Sequence, residues 1–70
     1  MSVQVFVNGK RRELRSGATV ADLIELLPGV PDGRGVAIAV DGEVVRRGAW
    51  SNTQLAPGAR VEVVAAVQGG

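Results

Sequence analysis

The 70-residue sequence predicts an α+β fold in which a single mixed sheet packs on one main helix. Apolar residues alternate with other residues near both ends and in the middle of the chain, a pattern typical of half-buried strands. Two pairs, Asn8-Gly9 and Asp41-Gly42, are strong signals for tight hairpin turns. One segment between these pairs repeats its apolar residues with helical spacing. A helix between two hairpins, with one apolar face, suits a sheet that is covered on one side.

The first hairpin begins with an alternating run. Val3, Val5 and Val7 share one parity, which predicts a half-buried first strand. The turn at Asn8-Gly9 reverses the chain into residues 11–15, a polar segment that we expect at the edge of the sheet. Ser16 and Gly17 then predict a second turn.

The helix is predicted to begin at Thr19, with Asp22 as its capping-box partner near the positive end of the helix dipole. Its apolar face has the spacing i, i+3, i+4 and i+7 and consists of Val20, Leu23, Ile24 and Leu27. Pro28-Gly29 is expected to stop the helix, and residues 29–35 form a loop rich in glycine and proline.

The second hairpin is predicted from residues 36–40, which alternate like a strand, and from residues 43–45 beyond the Asp41-Gly42 turn. Residues 46–58 are expected to be irregular. Trp50 and Leu55 are the predicted packing anchors of that segment.

The last strand is predicted at residues 60–67, and it is the longest and most apolar run, so we expect it in the centre of the sheet. Gly69 and Gly70 follow it. Glycine has no Cβ, so its backbone can be gripped closely in a narrow active site. We interpret residues 1–67 as the folded domain and residues 68–70 as a flexible tail, with the Gly70 carboxylate as the reactive group.

Composition excludes several functions. The net charge of +1 leaves no electrostatic footprint for nucleic acid or an anionic membrane. The chain has neither cysteine nor histidine, so disulfides, thiolate metal sites and the commonest general base are absent. Ser16 and Ser51 therefore have no histidine to activate them, and no phosphate-binding glycine motif is complete. Because the sequence shows no signal peptide or membrane segment, we expect a cytoplasmic protein. Because it shows no catalytic motif, we expect that the chain is not itself an enzyme.

Three segments together resemble one family. They are residues 19–27, the block 36–50 that ends at Trp50, and the ending 60–70 with its Val-Gln-Gly-Gly terminus. They resemble the thiamin-biosynthesis sulfur carrier (ThiS) family, whose members have the ubiquitin-like β-grasp fold. The resemblance covers essentially the whole chain, and the central block and the ending are its specific parts.

The resemblance implies a mechanism. An E1-like adenylating enzyme would use ATP, with a divalent metal, to adenylate the carboxylate of Gly70. A sulfur donor such as a cysteine desulfurase would convert the adenylate to a thiocarboxylate, and thiazole synthase would take the sulfur for the thiazole of thiamin. This chain would bind no cofactor or metal of its own and would be a monomer when free.

The expected partner surface combines apolar and basic residues. Phe6 has the parity opposite to Val5 and Val7, and Ala37 and Ala39 share its outer-face parity. The other candidates are Gln68 in the tail and three arginines that can pair with acidic groups, namely Arg46, Arg47 and Arg60. Each has a plainer interpretation, because Phe6 can simply cover the sheet and the arginines can simply be solvated.

Three alternatives stay open on sequence alone. Molybdopterin-synthase-type sulfur carriers share the fold and the glycines but are usually longer after the first helix. Ubiquitin-like modifiers extend chains through lysines, whereas Lys10 is the single lysine here. In a non-catalytic binding module, Gly69 and Gly70 would be no more than a flexible end.

Overall fold

The computed structural model describes residues 1–27 and 35–65. Its elements are, in order, β1 (Ser2–Val7), β2 (Lys10–Arg15), α1 (Val20–Leu26), β3 (Val36–Val40), β4 (Glu43–Val45), a 3-10 helix (Arg47–Asn52) and β5 (Arg60–Ala65). Several predictions fall outside the described residues: the helix stop at 28–29, most of the loop 29–35, the strand end at 66–67 and the tail 68–70.

The sheet has five strands in the order β2-β1-β5-β3-β4. β5 runs parallel to β1, with Phe6 opposite Arg60 and Val7 opposite Val61, and every other neighbouring pair is antiparallel. The predictions of a mixed sheet, a polar edge strand and a central last strand are therefore confirmed.

Both predicted hairpin turns are present. Asn8 and Asp41 each have a φ of 51°, and the glycines that follow them have φ values of 83° and 87°. Two consecutive residues with positive φ make the turn whose twist matches the twist of paired strands, and Asn-Gly and Asp-Gly are the pairs that tolerate it best. The local sequence therefore dictates both reversals.

α1 begins with the predicted capping box. The Asp22 backbone N–H donates to Thr19 Oγ1 over 3.2 Å, and the Thr19 N–H donates to Asp22 Oδ2 over 2.9 Å. The helix ends at Leu26, two residues before Pro28, because a proline disfavours helical geometry in the residue that precedes it. Its predicted apolar face is confirmed, since three members are buried and Leu27, the C-cap residue, is half-buried.

The core lies between α1 and one face of the sheet. Trp50 and Leu55 are 6% and 3% exposed, which confirms both predicted anchors. Three small or isolated apolar residues that the sequence analysis did not single out are also buried: Leu14, Ala18 and Ala59.

The prediction that residues 46–58 are irregular is wrong for residues 47–52, which form the 3-10 helix. The Ala49 N–H donates to the Arg46 carbonyl over 2.8 Å, and the Trp50 indole N–H donates to the Val45 carbonyl over 2.9 Å. A short 3-10 turn carries no amphipathic repeat long enough to be read from sequence. Here it turns Trp50 into the core.

Candidate functional site

The outer face of the sheet, which we define as the side away from α1, carries exposed apolar side chains. On β1, Val5 and Val7 are buried while Phe6 between them is 38% exposed. On β5, Val61 is buried and Val64 is 62% exposed. This alternation follows from the period-two geometry of a strand and places Phe6 where the sequence predicted it.

Two cross-strand pairs complete this surface. Ala37 lies opposite Val64, and Ala39 lies opposite Val44, which is 77% exposed. We call these four residues and Phe6 the apolar outer face. The sequence analysis named Phe6, Ala37 and Ala39 but missed both valines, although the parity that exposes Ala39 also exposes its partner on β4.

An open depression of about 740 Å³ lies beside the apolar outer face, between the two hairpin turns. Arg60 and Glu62, both exposed, lie along the outer side of β5 at this point. No polar or charged side chain in residues 1–27 or 35–65 is buried, so the depression has no desolvated polar group of the kind that fixes a small ligand. A protein surface is the better match for it.

The three predicted arginines do not form one cluster. Arg60 lies on the outer side of the sheet, next to Phe6 on β1. Arg47 lies on the side of α1, where its Cζ is 5.8 Å from the centre of the Trp50 ring. Arg46 is exposed just after the edge strand β4. Of the three, Arg60 lies directly beside Phe6, whereas Arg46 lies near Val44 at the β4 edge of the apolar outer face.

β5 is held from both sides as it leads toward the C-terminal glycines. On one side it pairs with β3 as far as Ala65, which lies opposite Val36. On the other side, Asn8 continues the pairing beyond the end of β1 through its side chain, whose Oδ1 accepts from the Val63 N–H over 2.8 Å. Gln68, Gly69 and Gly70 lie outside the described residues. Gly70 is the fifth residue after Ala65, a span of at most about 18 Å when extended.

The carboxyl group with a shifted pKa lies at the helix cap and not on the outer face of the sheet. The pKa of Asp22 is lowered, mainly by the hydrogen bond from the Thr19 N–H, with a further contribution from the Thr19 side chain. That carboxylate belongs to the helix cap rather than to the outer face. The part of the chain that the structure describes contains no group of three or more side chains able to hold a metal ion.

Comparison with known proteins assigns the family. Residues 5–70 match the model of the ThiS family, and the match runs through both terminal glycines. The chain belongs to the ThiS family. Sequence comparison with curated proteins finds no match.

This ThiS-family chain also resembles a solved structure. The thiamine biosynthesis protein (ThiS) from Geobacter metallireducens is 28% identical to it, with a TM-score of 0.79. The alignment covers 97% of this chain and 100% of that chain. The ubiquitin-like β-grasp fold is therefore confirmed. In the described residues of this ThiS-family chain, no helix is long and apolar enough to cross a bilayer.

Proposed function

We propose that this chain is a sulfur carrier of thiamin biosynthesis and that the carboxylate of Gly70 carries the sulfur. The observation that supports this most directly is the ThiS-family match over residues 5–70, which includes the terminal glycines. The TM-score of 0.79 to a thiamine biosynthesis protein adds support over the whole fold.

The first proposed step activates an unreactive carboxylate. A Gly70 carboxylate oxygen attacks the α-phosphorus of ATP, an O–P bond forms, and pyrophosphate leaves as the bond to the β-phosphate breaks. The product is an acyl-adenylate. In this proposal, an E1-like partner enzyme holds ATP and its divalent metal, and this chain contributes the acyl group and a docking surface.

The second proposed step replaces oxygen by sulfur. A persulfide on a donor protein attacks the acyl carbon, a C–S bond forms, and AMP leaves with the electron pair of the C–O bond. A thiol then cleaves the S–S bond of this acyl persulfide, becomes part of a disulfide, and releases the thiocarboxylate. As a sulfur anion at neutral pH, the thiocarboxylate is a strong nucleophile that thiazole synthase can use.

The apolar outer face is the proposed docking surface for the adenylating enzyme. A tail that spans at most about 18 Å beyond Ala65 reaches an active site only if the folded body rests against its rim. Exposed apolar side chains rimmed by charges, here Arg60 and Glu62, are typical of a surface that binds another protein. We propose that the reaction takes place in the cytoplasm and that this chain acts as a co-substrate rather than as an enzyme.

The position of the terminal carboxylate provides the test. Adding one residue after Gly70, or deleting Gly70, shifts the carboxylate by up to about 3.6 Å, whereas attack requires alignment within roughly 3–3.5 Å. We expect both variants to keep the fold and to lose pyrophosphate exchange with the cognate adenylating enzyme. Gly69→Ala should bind and react slowly, because its Cβ meets a channel that fits bare backbone.

Intact mass provides a second test and separates the alternatives. Chain purified from cells that also express the sulfur donor should include a form in which one terminal oxygen is replaced by sulfur. In the first test, pyrophosphate exchange at the native rate by the extended chain would show that the terminal carboxylate does not react. An isopeptide adduct in place of the sulfur form would identify a protein modifier instead.

A further inference from the structure

The two hairpin turns hold β5 through side chains that replace backbone groups. Asn8 and Asp41 are the first turn residues after β1 and β3, and both have a positive φ. Asp41 still donates its N–H to the Arg60 carbonyl over 2.7 Å, and its Oδ1 accepts the Arg60 N–H over 2.9 Å. Asn8 still donates its N–H to the Val61 carbonyl over 2.9 Å, and its Oδ1 accepts the Val63 N–H.

Asn8 does more than Asp41, because its side chain is an amide. Asn8 Nδ2 donates to the Val63 carbonyl over 3.1 Å, so both backbone groups of Val63 are held by one side chain. The amide of Asn8 thus reproduces the next peptide unit that β1 would have offered had it continued. A carboxylate at this position would have no N–H to donate.

The two holds act at different points along β5, Asp41 at its first residue and Asn8 at its fourth. Arg60 is its first residue, far from the glycines, whereas Val63 is seven residues before Gly70. Among the hydrogen bonds between β5 and the β1 side in residues 1–27 and 35–65, those of the Asn8 amide lie furthest along β5 toward the C-terminus. Without it, the end of β5 is held from one side only, by β3.

We propose that Asn8 is a positioning residue for the reaction at Gly70: by clamping Val63, it fixes the direction in which β5 leaves the sheet and so the alignment of the terminal carboxylate with ATP. This inference rests on the proposed function. A loosened strand end spreads the carboxylate over more positions, and loss of near-attack alignment lowers the rate of the chemical step rather than the affinity of the docked body.

The test compares Asn8→Gly with Asp41→Gly. Glycine accepts the positive φ of either turn, so both chains should fold, and each loses only the side-chain hold on β5. The measurements are amide hydrogen exchange in the free chain, and kcat and KM for the carrier in pyrophosphate exchange with the cognate adenylating enzyme. For Asn8→Gly we expect exchange at Val63 to accelerate roughly tenfold. Its kcat should fall roughly fivefold with KM within about twofold.

For Asp41→Gly we expect faster amide hydrogen exchange at Arg60, with kcat within about twofold of the native value. The inference would be overturned if Asn8→Gly left amide hydrogen exchange at Val63 unchanged, or if it left kcat unchanged. It would also be overturned if both variants lost kcat equally, because that result would indicate a general loss of stability. If the native chain supports no pyrophosphate exchange at all, the proposed function is overturned, and the proposed role of Asn8 is overturned with it. If the native chain is active and one of those three results is obtained, the inference about Asn8 fails and the proposed function stands.

Discussion

Among single residues, Asp22 shows how a side chain that completes a helix cap becomes sensitive to pH. Its carboxylate accepts the Thr19 backbone N–H. That hydrogen bond is the main cause of the lowered pKa of Asp22, and the Thr19 side chain adds to it. Desolvation opposes these two effects and is weaker than either, and the charge of Arg15 lowers the pKa slightly further. Because the folded state favours the ionised form, proton uptake by Asp22 must weaken the fold.

The predicted pH dependence has a definite sign. A carboxyl group whose folded-state pKa is lowered stabilises the fold fully above its unfolded pKa, and this contribution is lost as pH falls through the folded value. We therefore expect the native chain to lose its advantage over Asp22→Asn as pH falls below about 4. Asparagine keeps an oxygen for the Thr19 N–H, so the comparison isolates the charge.

Denaturant unfolding, followed by the fluorescence of the single tryptophan, measures this difference. Measurements from neutral pH down to about pH 2 span the relevant window. A stability difference that stays constant across that range would show that Asp22 has the same pKa in the folded and unfolded chains.

At the scale of elements, the packing of α1 on the sheet is tested by two leucines. Leu23 is fully buried at 0% exposure, and Leu26, one turn later on the same helix, is 58% exposed. Leu23→Ala should lower the free energy of unfolding by about 2–5 kcal/mol, because it leaves a cavity in the core. Leu26→Ala should change it by less than about 0.5 kcal/mol. Similar losses at both positions in denaturant unfolding would contradict this orientation of the helix.

Periodicity predicted most of the elements because each buries one side only. Apolar residues recur with a period of two in residues 3–7 and with a period of 3.6 in residues 20–27, and this spacing predicts which face of each element is buried. Leu14 was missed because it is the one apolar residue in a charged strand, where no alternation surrounds it. The 3-10 helix was missed because its six residues, about two turns, are too few for a recognisable repeat.

The candidate site was less accessible to sequence. Parity alone placed Phe6, Ala37 and Ala39 on the outer face, since strand geometry is local. The role of Asn8 depends on β5 pairing in parallel with β1, a contact between residues 55 positions apart. The Asn-Gly signal explains the turn but contains no information about the strand that its side chain will meet.

At the scale of the whole molecule, the two sides of the sheet should behave differently toward a partner. Phe6→Ala removes the largest side chain of the apolar outer face and leaves the core intact. We expect KM for the carrier in pyrophosphate exchange to rise roughly tenfold, the loss typical of a moderate interface contact, while kcat changes little.

Leu26→Ala is the matched control for Phe6→Ala, since it trims an exposed apolar side chain on the helix side. It should leave KM unchanged. An equal rise in KM for both variants would place the docking surface elsewhere, and no rise for Phe6→Ala would exclude the apolar outer face.

The central place of β5 also affects how the protein is made. Among the strands in residues 1–27 and 35–65, β5 is the last to emerge during synthesis, and in the sheet it lies between the pair β2-β1 and the pair β3-β4. A nascent chain can therefore form both hairpins and the helix without closing the sheet. Chains that stop before β5 retain open strand edges and an uncovered core, which makes them targets for proteases. We therefore expect chains that end before β5 to be degraded rather than to accumulate as folded protein.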